Sequence, residues 1–377
     1  MAQIDRLVAR SSELKAELLA FAQSKRFAST LDEALQGSFT TSAPTESDLI
    51  DFFENFIMER RFSDGRTLLE RFVRARGDLP RAERDMLLGW MNKVDGIFEV
   101  ERIDGEVIVA VNVLDDLTYR IRSNMGLAGF DYRIKPGIFV MTRIVPILNE
   151  WILSGVSSTF EPKDADRALA IATQRAAQNP NLVFRNPELL AAAWDSQRKD
   201  RAEFIEFFGS DVRVLSGTEC VDQMREFRYS QHGDAAAAIW GDLSFLASAD
   251  SVGLIYDDAH GLGFFTGFHQ IQEAFQDPEL AAKPEHADAI QDYVSNPTIS
   301  PVPLRRCAEE WPDGADRIFA RLLGNPKFSW AEDGEALLRV AKPEYFDPPP
   351  KPKMSVNTSR IAAYIKSHGI PWVDPGH

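Results

Sequence analysis

Ile4, Leu7, Val8, Leu14, Leu18, Leu19, Phe21 and Ala22 recur mostly at three- and four-residue intervals, the spacing that lays apolar side chains along one face of an α-helix. With Leu35 and a stop at Gly37 they predict one or two amphipathic helices over residues 1–37. The small, polar run 38–44, ending in Pro44, reads as a linker. A helical subdomain follows over 45–96. Its first helix, capped by Thr45 or Ser47, carries Leu49, Ile50, Phe52, Phe53, Phe56 and Ile57 and breaks at Asp64-Gly65. A second holds Leu68, Leu69, Phe72 and Val73, and a third runs from near Pro80 to about Gly96.

At Gly96 the period falls to two. Phe98 and Val100, then Val107, Val109, Val111 and Val113 after the Asp104-Gly105 turn, then Leu117, Tyr119 and Ile121, alternate as half-buried strands do. Pro136-Gly137 opens a further strand with Ile138, Val140 and Ile144, and Trp151 and Leu153 belong to a last one. Short strands with no helix between them predict a small antiparallel β-barrel-like domain over 97–162, SH3-like or OB-like in size, and exclude parallel βαβ units.

The helical period returns over 163–341, an α-rich C-terminal domain with a long helix at 187–208, a strand at 212–215 and a helix capped at Thr218. Within it, 251–256 and 262–265 flank Asp257-Asp258-Ala259-His260-Gly261 as a β-hairpin. Residues 342–377, with Pro343, Pro348, Pro349, Pro350 and Pro352, read as a Pro-rich extended tail. The expected fold class is α+β: a helical N-terminal region, a small antiparallel β-barrel-like domain, and an α-rich C-terminal domain with a β-hairpin.

Composition is that of an ordinary globular chain, 44% hydrophobic and 26% charged, which excludes wholesale disorder. The net charge of −15 opposes a phosphate backbone, so direct nucleic-acid contact is not expected. No apolar run approaches the ~20 residues needed to cross a bilayer, and the N-terminus has no export signature, so a cytoplasmic protein without membrane insertion is expected. The charge is uneven. Eight arginines stand between 58 and 84, whereas 242–292 holds ten acids against Lys283 alone. Such runs ordinarily face solvent; as a docking surface the acidic one would suit a basic protein partner.

Chemistry-bearing motifs are sparse. Gly261-Leu262-Gly263-Phe264-Phe265-Thr266-Gly267 is one residue too long for a dinucleotide fingerprint and reads as a relieved hairpin. Phosphate-loop, nucleophile-elbow and His-Glu-x-x-His patterns are absent, so no cofactor is expected. Asp257, Asp258, His260 and His269 form one short-range oxygen-and-imidazole cluster, the candidate metal ligands, against which stands plain turn chemistry. Cys220 and Cys307 make no metal-ligand spacing; Cys220 reads as a small buried hydrophobe, or as a nucleophile if a histidine lies nearby, and Cys307 has Arg305 and Arg306 beside it, whose effect on the thiol is expected to be small because adjacent helix positions point different ways.

Arg61-Phe62-Ser63-Asp64-Gly65-Arg66-Thr67-Leu68-Leu69, Met86-Leu87-Leu88-Gly89-Trp90, Gly96-Ile97-Phe98-Glu99-Val100 and Asp115-Asp116-Leu117-Thr118-Tyr119-Arg120-Ile121-Arg122-Ser123-Asn124-Met125-Gly126 follow in an order of their own. This order resembles a poorly characterised family of bacteria and plant plastids, whose plastid members are linked to photosystem II accumulation and to the plastid RNA polymerase. The likeness is best over 50–160, with 252–277 in support. It implies an accessory or assembly role and brings no catalytic residues; a chain without a transit peptide would be a bacterial member or a mature form. The expected function is therefore a non-catalytic accessory, assembly or regulatory protein working through protein contacts. The alternative is a metal-dependent hydrolase or nuclease with an Asp/His site near 257–269.

Overall fold

The computed structural model describes residues 3–39, 43–130, 134–233 and 242–370. Residues 40–42 of the expected linker and 371–377 of the expected tail lie outside them. The chain divides into two compact units. Unit 1 comprises Met1–Ala176 with Asn357–Ser367, and unit 2 comprises Ala177–Val356 with the last residues.

Unit 1 begins with five helices: α1 (Gln3–Ala22), α2 (Ala28–Ser38), α3 (Glu46–Met58), α4 (Leu68–Ala75) and α5 (Arg81–Gly89). Thr45 and Thr67 each close a capping box, with Asp48 and Glu70 returning the bond, so two orphan amides are met at each helix start. Helix α2 runs through Gly37 rather than stopping there. Helix α5 gives way to a 3-10 turn over Trp90–Asn92, and Gly96 lies inside the first strand; the expected helix end was late because the strand starts at Val94.

Five strands follow: β1 (Val94–Asp104), β2 (Val107–Asn112), β3 (Thr118–Arg122), β4 (Phe139–Ile147) and β5 (Glu150–Phe160). β1 is long enough to pair with β4 along its first half and with β2 along its second, which closes the sheet in the order β1-β2-β3-β5-β4. The expectation of antiparallel pairing throughout fails at one place: β3 and β5 are parallel, with Ile121 opposite Trp151. No crossover helix is needed, because β4 itself is the crossover between them. Phe98, Ile108, Ala110, Ile121, Val140 and Ile144 fill the interior, while Val145, Ile147 and Ile152 join the helical core of Leu14, Leu68, Phe72 and Leu87. All six residues of β2 are buried, so the expected one-sided strand is covered on both faces. The run Val107-Ile108-Val109-Ala110-Val111 is continuously apolar, the pattern of a strand with no wet face.

The turn between β2 and β3 is a buried polar knot. Asp115 accepts from Tyr119 OH at 2.7 Å, Asn112 Nδ2 at 2.8 Å and Leu117 N at 2.9 Å. Three of the residues on which the family resemblance rests, Asp115, Leu117 and Tyr119, therefore fold this corner. Unit 1 continues through α6 (Ala165–Gln178) and is completed by the returning segment, part of α14 (Ser359–His368), in which Thr358 Oγ1 donates to Val113 O at 2.7 Å and Ser359 N to Asp116 at 2.6 Å. A helix thus stands where an extended tail was expected: no proline falls between Pro352 and the end of this helix, and Ile361 and Ile365 stand at helical spacing.

Unit 2 contains α7 (Pro187–Phe208), β6 (Val212–Leu215), α8 (Gly217–His232), β7 (Val252–Asp257), β8 (Gly261–Thr266), α9 (Phe268–Gln276), α10 (Pro284–Ser295), α11 (Val302–Glu310), α12 (Pro312–Leu323) and α13 (Trp330–Ala341). The cap of α8 is Ser216, with Glu219 completing the box, and Thr218 falls inside the helix. β7 runs between β6 and β8, antiparallel to both, as the hairpin pattern predicts. Phe204, Met224 and Phe227 cover one side of the sheet, and Phe268, Phe275 and Phe319 the other. Gly314 lets α12 lie against the backbone of α9: a Cβ there would stand 1.8 Å from Phe275 O. Gly314→Ala is expected to cost about 1–3 kcal/mol by forcing the helices apart, read as a lower urea midpoint at unchanged slope.

Among the described residues no helix is long and apolar enough to cross a membrane.

Candidate functional site

The hairpin loop of unit 2 uses its acids to make the turn. Asp257 Oδ1 accepts from Ala259 N and His260 N, each at 2.9 Å. Asp258 is exposed and meets Arg201 at 3.2 Å, and its carbonyl accepts from Gln197 Nε2 at 2.7 Å. His260 turns to a separate cleft of about 490 Å³ walled by Tyr345, Pro348, Pro349, Pro350 and Pro352. Its imidazole is held below the usual histidine range by burial, against the pull of Asp257. His269 bonds Ser251 at the far end of the hairpin, roughly 20 Å away at the rise of a six-residue strand. The four candidate ligands therefore do not converge, because β7 and β8 stand between them. No group of three or more His, Cys, Asp or Glu side chains suited to a metal ion occurs among the described residues.

Both cysteines are buried thiols in apolar cores. Burial pushes Cys220 up to about 11 and Cys307 up to about 12, away from the thiolate a nucleophile requires.

Unit 1 holds a different kind of site. A cleft of about 730 Å³ opens between α1, the β3–β4 connection and β5. Hydroxyls of Ser11, Ser12, Ser123, Ser154, Ser157 and Thr159 line it, over an apolar floor that includes Trp90, Phe130, Val145 and Ile152. Lys15 is the one charged residue among its described lining. It reaches Ser154 Oγ at 3.1 Å and pairs with Glu54, a buried carboxylate behind the strand. Glu54 in turn accepts from Ser154 Oγ at 2.7 Å and Arg143 Nη1 at 3.1 Å. Arg143 also donates to Asp95 at 2.7 Å and to Asn55 at 2.9 Å, tying α3 to β1 and β4. Burial raises the Asp95 carboxyl, but the Arg143 and Lys93 bonds outweigh it and hold it below its ordinary value. Gly155 is required beside this carboxylate: its φ is 74°, and a Cβ would stand 2.9 Å from Glu54 Oε2.

Two residues of the lining stand out. Trp90 is only 4% exposed, yet its indole Nε1–H has no hydrogen-bond acceptor. Met125 stands 68% exposed on the rim.

The chain matches no family model, no curated protein and no solved structure.

The sequence pattern points to the hairpin loop and passes over the cleft, whose lining is gathered from positions 11 to 159 and has no local spacing. One signal was present. Ser11 occupies the apolar stripe of α1 between Leu7 and Leu14, a position where a serine is at odds with a purely structural helix face.

Proposed function

We propose that this chain is a non-catalytic accessory protein, an assembly or regulatory factor acting through contacts with another protein. The observation that carries this reading is the commitment of the buried ionisable groups to architecture. Glu54, Arg143 and Asp95 lock α3 to the strands, Asp115 folds the β2–β3 corner, and Asp200 of α7 holds Arg228 of α8 and Tyr256 of β7. Groups tied in this way are poor acids, bases or ligands, because catalysis needs them presented to a substrate. The family resemblance points the same way.

The closed sheet of unit 1 is, in this reading, a barrel of OB type, given its strand order and its parallel β3–β5 pair. Barrels of that type take oligonucleotides on the face of strands 2 and 3. Here burial of the whole of β2 leaves that strand no wet face to offer, which supports a scaffold role.

For the partner surface, the acidic stretch is the better supported. Glu285, Asp288 and Asp292 of α10 are all exposed, and so are Glu273, Asp277 and Glu279 before them. Such a face favours a basic partner. Reversing Glu285, Asp288 and Asp292 to lysine is expected to slow capture of that partner and flatten its salt dependence, measured by cross-linking in cells followed by association kinetics of the recovered pair. An unchanged partner set would refute the docking surface. Stabilisation by Mg²⁺ or Zn²⁺ that disappears in Asp257→Ala/Asp258→Ala would refute the non-catalytic reading in favour of the hydrolase.

A further inference from the structure

One stretch of unit 2 is used neither by its core nor by the acidic docking surface. Pro348, Pro349, Pro350 and Lys351 stand exposed in a row, after the 3-10 turn Pro343–Tyr345 and before the buried Pro352. Proline fixes its own φ and bars the residue before it from the helical region, so 348, 349 and 351 are held extended. Three adjacent prolines also remove three N–H groups. Among the described residues the backbone of 348–351 makes no hydrogen bond, so its carbonyls have no donor there. Both ends of the run are nevertheless fastened: Asp347 N donates to Pro343 O at 3.0 Å, and Lys353 N to Gln197 Oε1 of α7 at 2.7 Å. The run is therefore ordered before any partner arrives, and an ordered ligand loses less entropy on binding. Charge sets the kind of partner. Lys351 and Lys353 are both exposed, and neither makes an ion pair among the described residues of a chain whose net charge is −15.

We propose that residues 348–353 are a polyproline ligand, read by an aromatic-lined groove with an acidic rim on a partner protein. The proline rings lie on the groove's tryptophan and tyrosine faces, the free carbonyls accept from its N–H and O–H donors, and the two lysines meet its carboxylates. In a polyproline helix three residues make a turn, which puts Lys351 on the edge of Pro348 and Lys353 on the edge of Pro350. Two of the three edges thus offer a proline followed by an ammonium. The cleft of about 490 Å³ beside the run, lined also by Phe184, leaves the wall of such a groove room to close on the prolines. This ligand is distinct from the acidic face of α10, which calls for a partner surface of opposite charge, and it holds or fails independently of that contact.

The test titrates the full chain into a panel of purified ¹⁵N-labelled SH3 and WW domains, half with acidic and half with neutral groove rims. At least one acidic-rimmed domain is expected to bind, with shifts centred on its groove aromatics, and the neutral-rimmed domains about tenfold more weakly. Pro349→Ala/Pro350→Ala should weaken the binding about tenfold by removing both rings and the pre-ordering. Lys351→Glu/Lys353→Glu should weaken it by about the same factor through charge alone. All four positions are exposed, so the melting temperature should hold; if the proline pair lowers it, the lysine pair decides. Glu285→Lys/Asp288→Lys/Asp292→Lys should leave the binding unchanged. The proposal is overturned if no domain of the panel binds, if binding survives the lysine reversal or a folded proline variant, or if reversing the α10 acids abolishes it.

Discussion

Arg143→Met is expected to destabilise unit 1 by about 3–5 kcal/mol, the usual cost of removing one partner from a buried ion pair. The guanidinium is shared by Glu54, Asn55 and Asp95, so its loss strips charge compensation from one buried and one half-buried carboxylate together. Glu54 keeps Lys15 and Ser154, which sets a limit on the damage; Asp95 keeps Lys93. Hydrogen exchange under native conditions is the measurement, and protection should fall most in α3 and along β1 and β4. The double variant Glu54→Met/Arg143→Met should cost less than the sum of its parts by about 1 kcal/mol or more, since an apolar pair no longer strands a charge. Simple additivity would mean that the two side chains do not act together.

A loss of similar size is expected in unit 2 from Asp200→Ala, about 3–5 kcal/mol, because Arg228 is almost wholly buried and would lose the carboxylate that balances its charge at 2.7 Å. Tyr256 OH would also lose its 2.7 Å acceptor. This site carries a pH signature. Burial alone raises the Asp200 carboxyl, but the charge of Arg228 and the hydrogen bonds from Arg228, Tyr256 and Gln231 outweigh it, leaving the folded value below the usual one. A depressed carboxylate stabilises the fold fully above the unfolded value, near pH 4, and that contribution is lost as pH falls through the folded value. Urea midpoints measured downward from pH 6 should therefore drop below about pH 4 in the wild type and drop less steeply in Asp200→Asn. Parallel curves would show that other carboxylates dominate the acid limb.

The sequence was a good guide wherever one local pattern decides the structure. The helix start at Thr45, one of the two caps the sequence offered, the apolar face of α4, the β6 strand and the β7–β8 hairpin are each written in a few neighbouring residues. It was a poor guide where pairing is made across long stretches. The parallel β3–β5 contact depends on where β4 returns, which no window of β3 or β5 contains. The same holds for sites. Asp257, Asp258, His260 and His269 are close along the chain, but the hairpin's length separates His269 from the rest, whereas Lys15, Trp90, Ser123 and Ser154 share a cleft while far apart in the sequence. Thr218 failed as a cap for a smaller reason: Ser216 precedes it with a glutamate three residues on, so the capping box outcompetes the lone hydroxyl.

The return of the chain to unit 1 at Asn357 bears on the order in which the protein can be assembled during synthesis. Thr358 bonds Val113 across 245 positions, and Arg360 pairs with Glu99 across 261. As the chain leaves the ribosome, the strands of unit 1 emerge long before the residues that complete them, and all of Ala177–Val356 is made in between. During that interval the carbonyl of Val113 and the carboxylates of Glu99 and Asp116 lack the partners they have in the finished fold. Contacts of such sequence separation are the slow ones in folding, since chain entropy must be spent before they form. The strands of unit 1 are thus translated before unit 2 and completed only after Ala177–Val356 has been made.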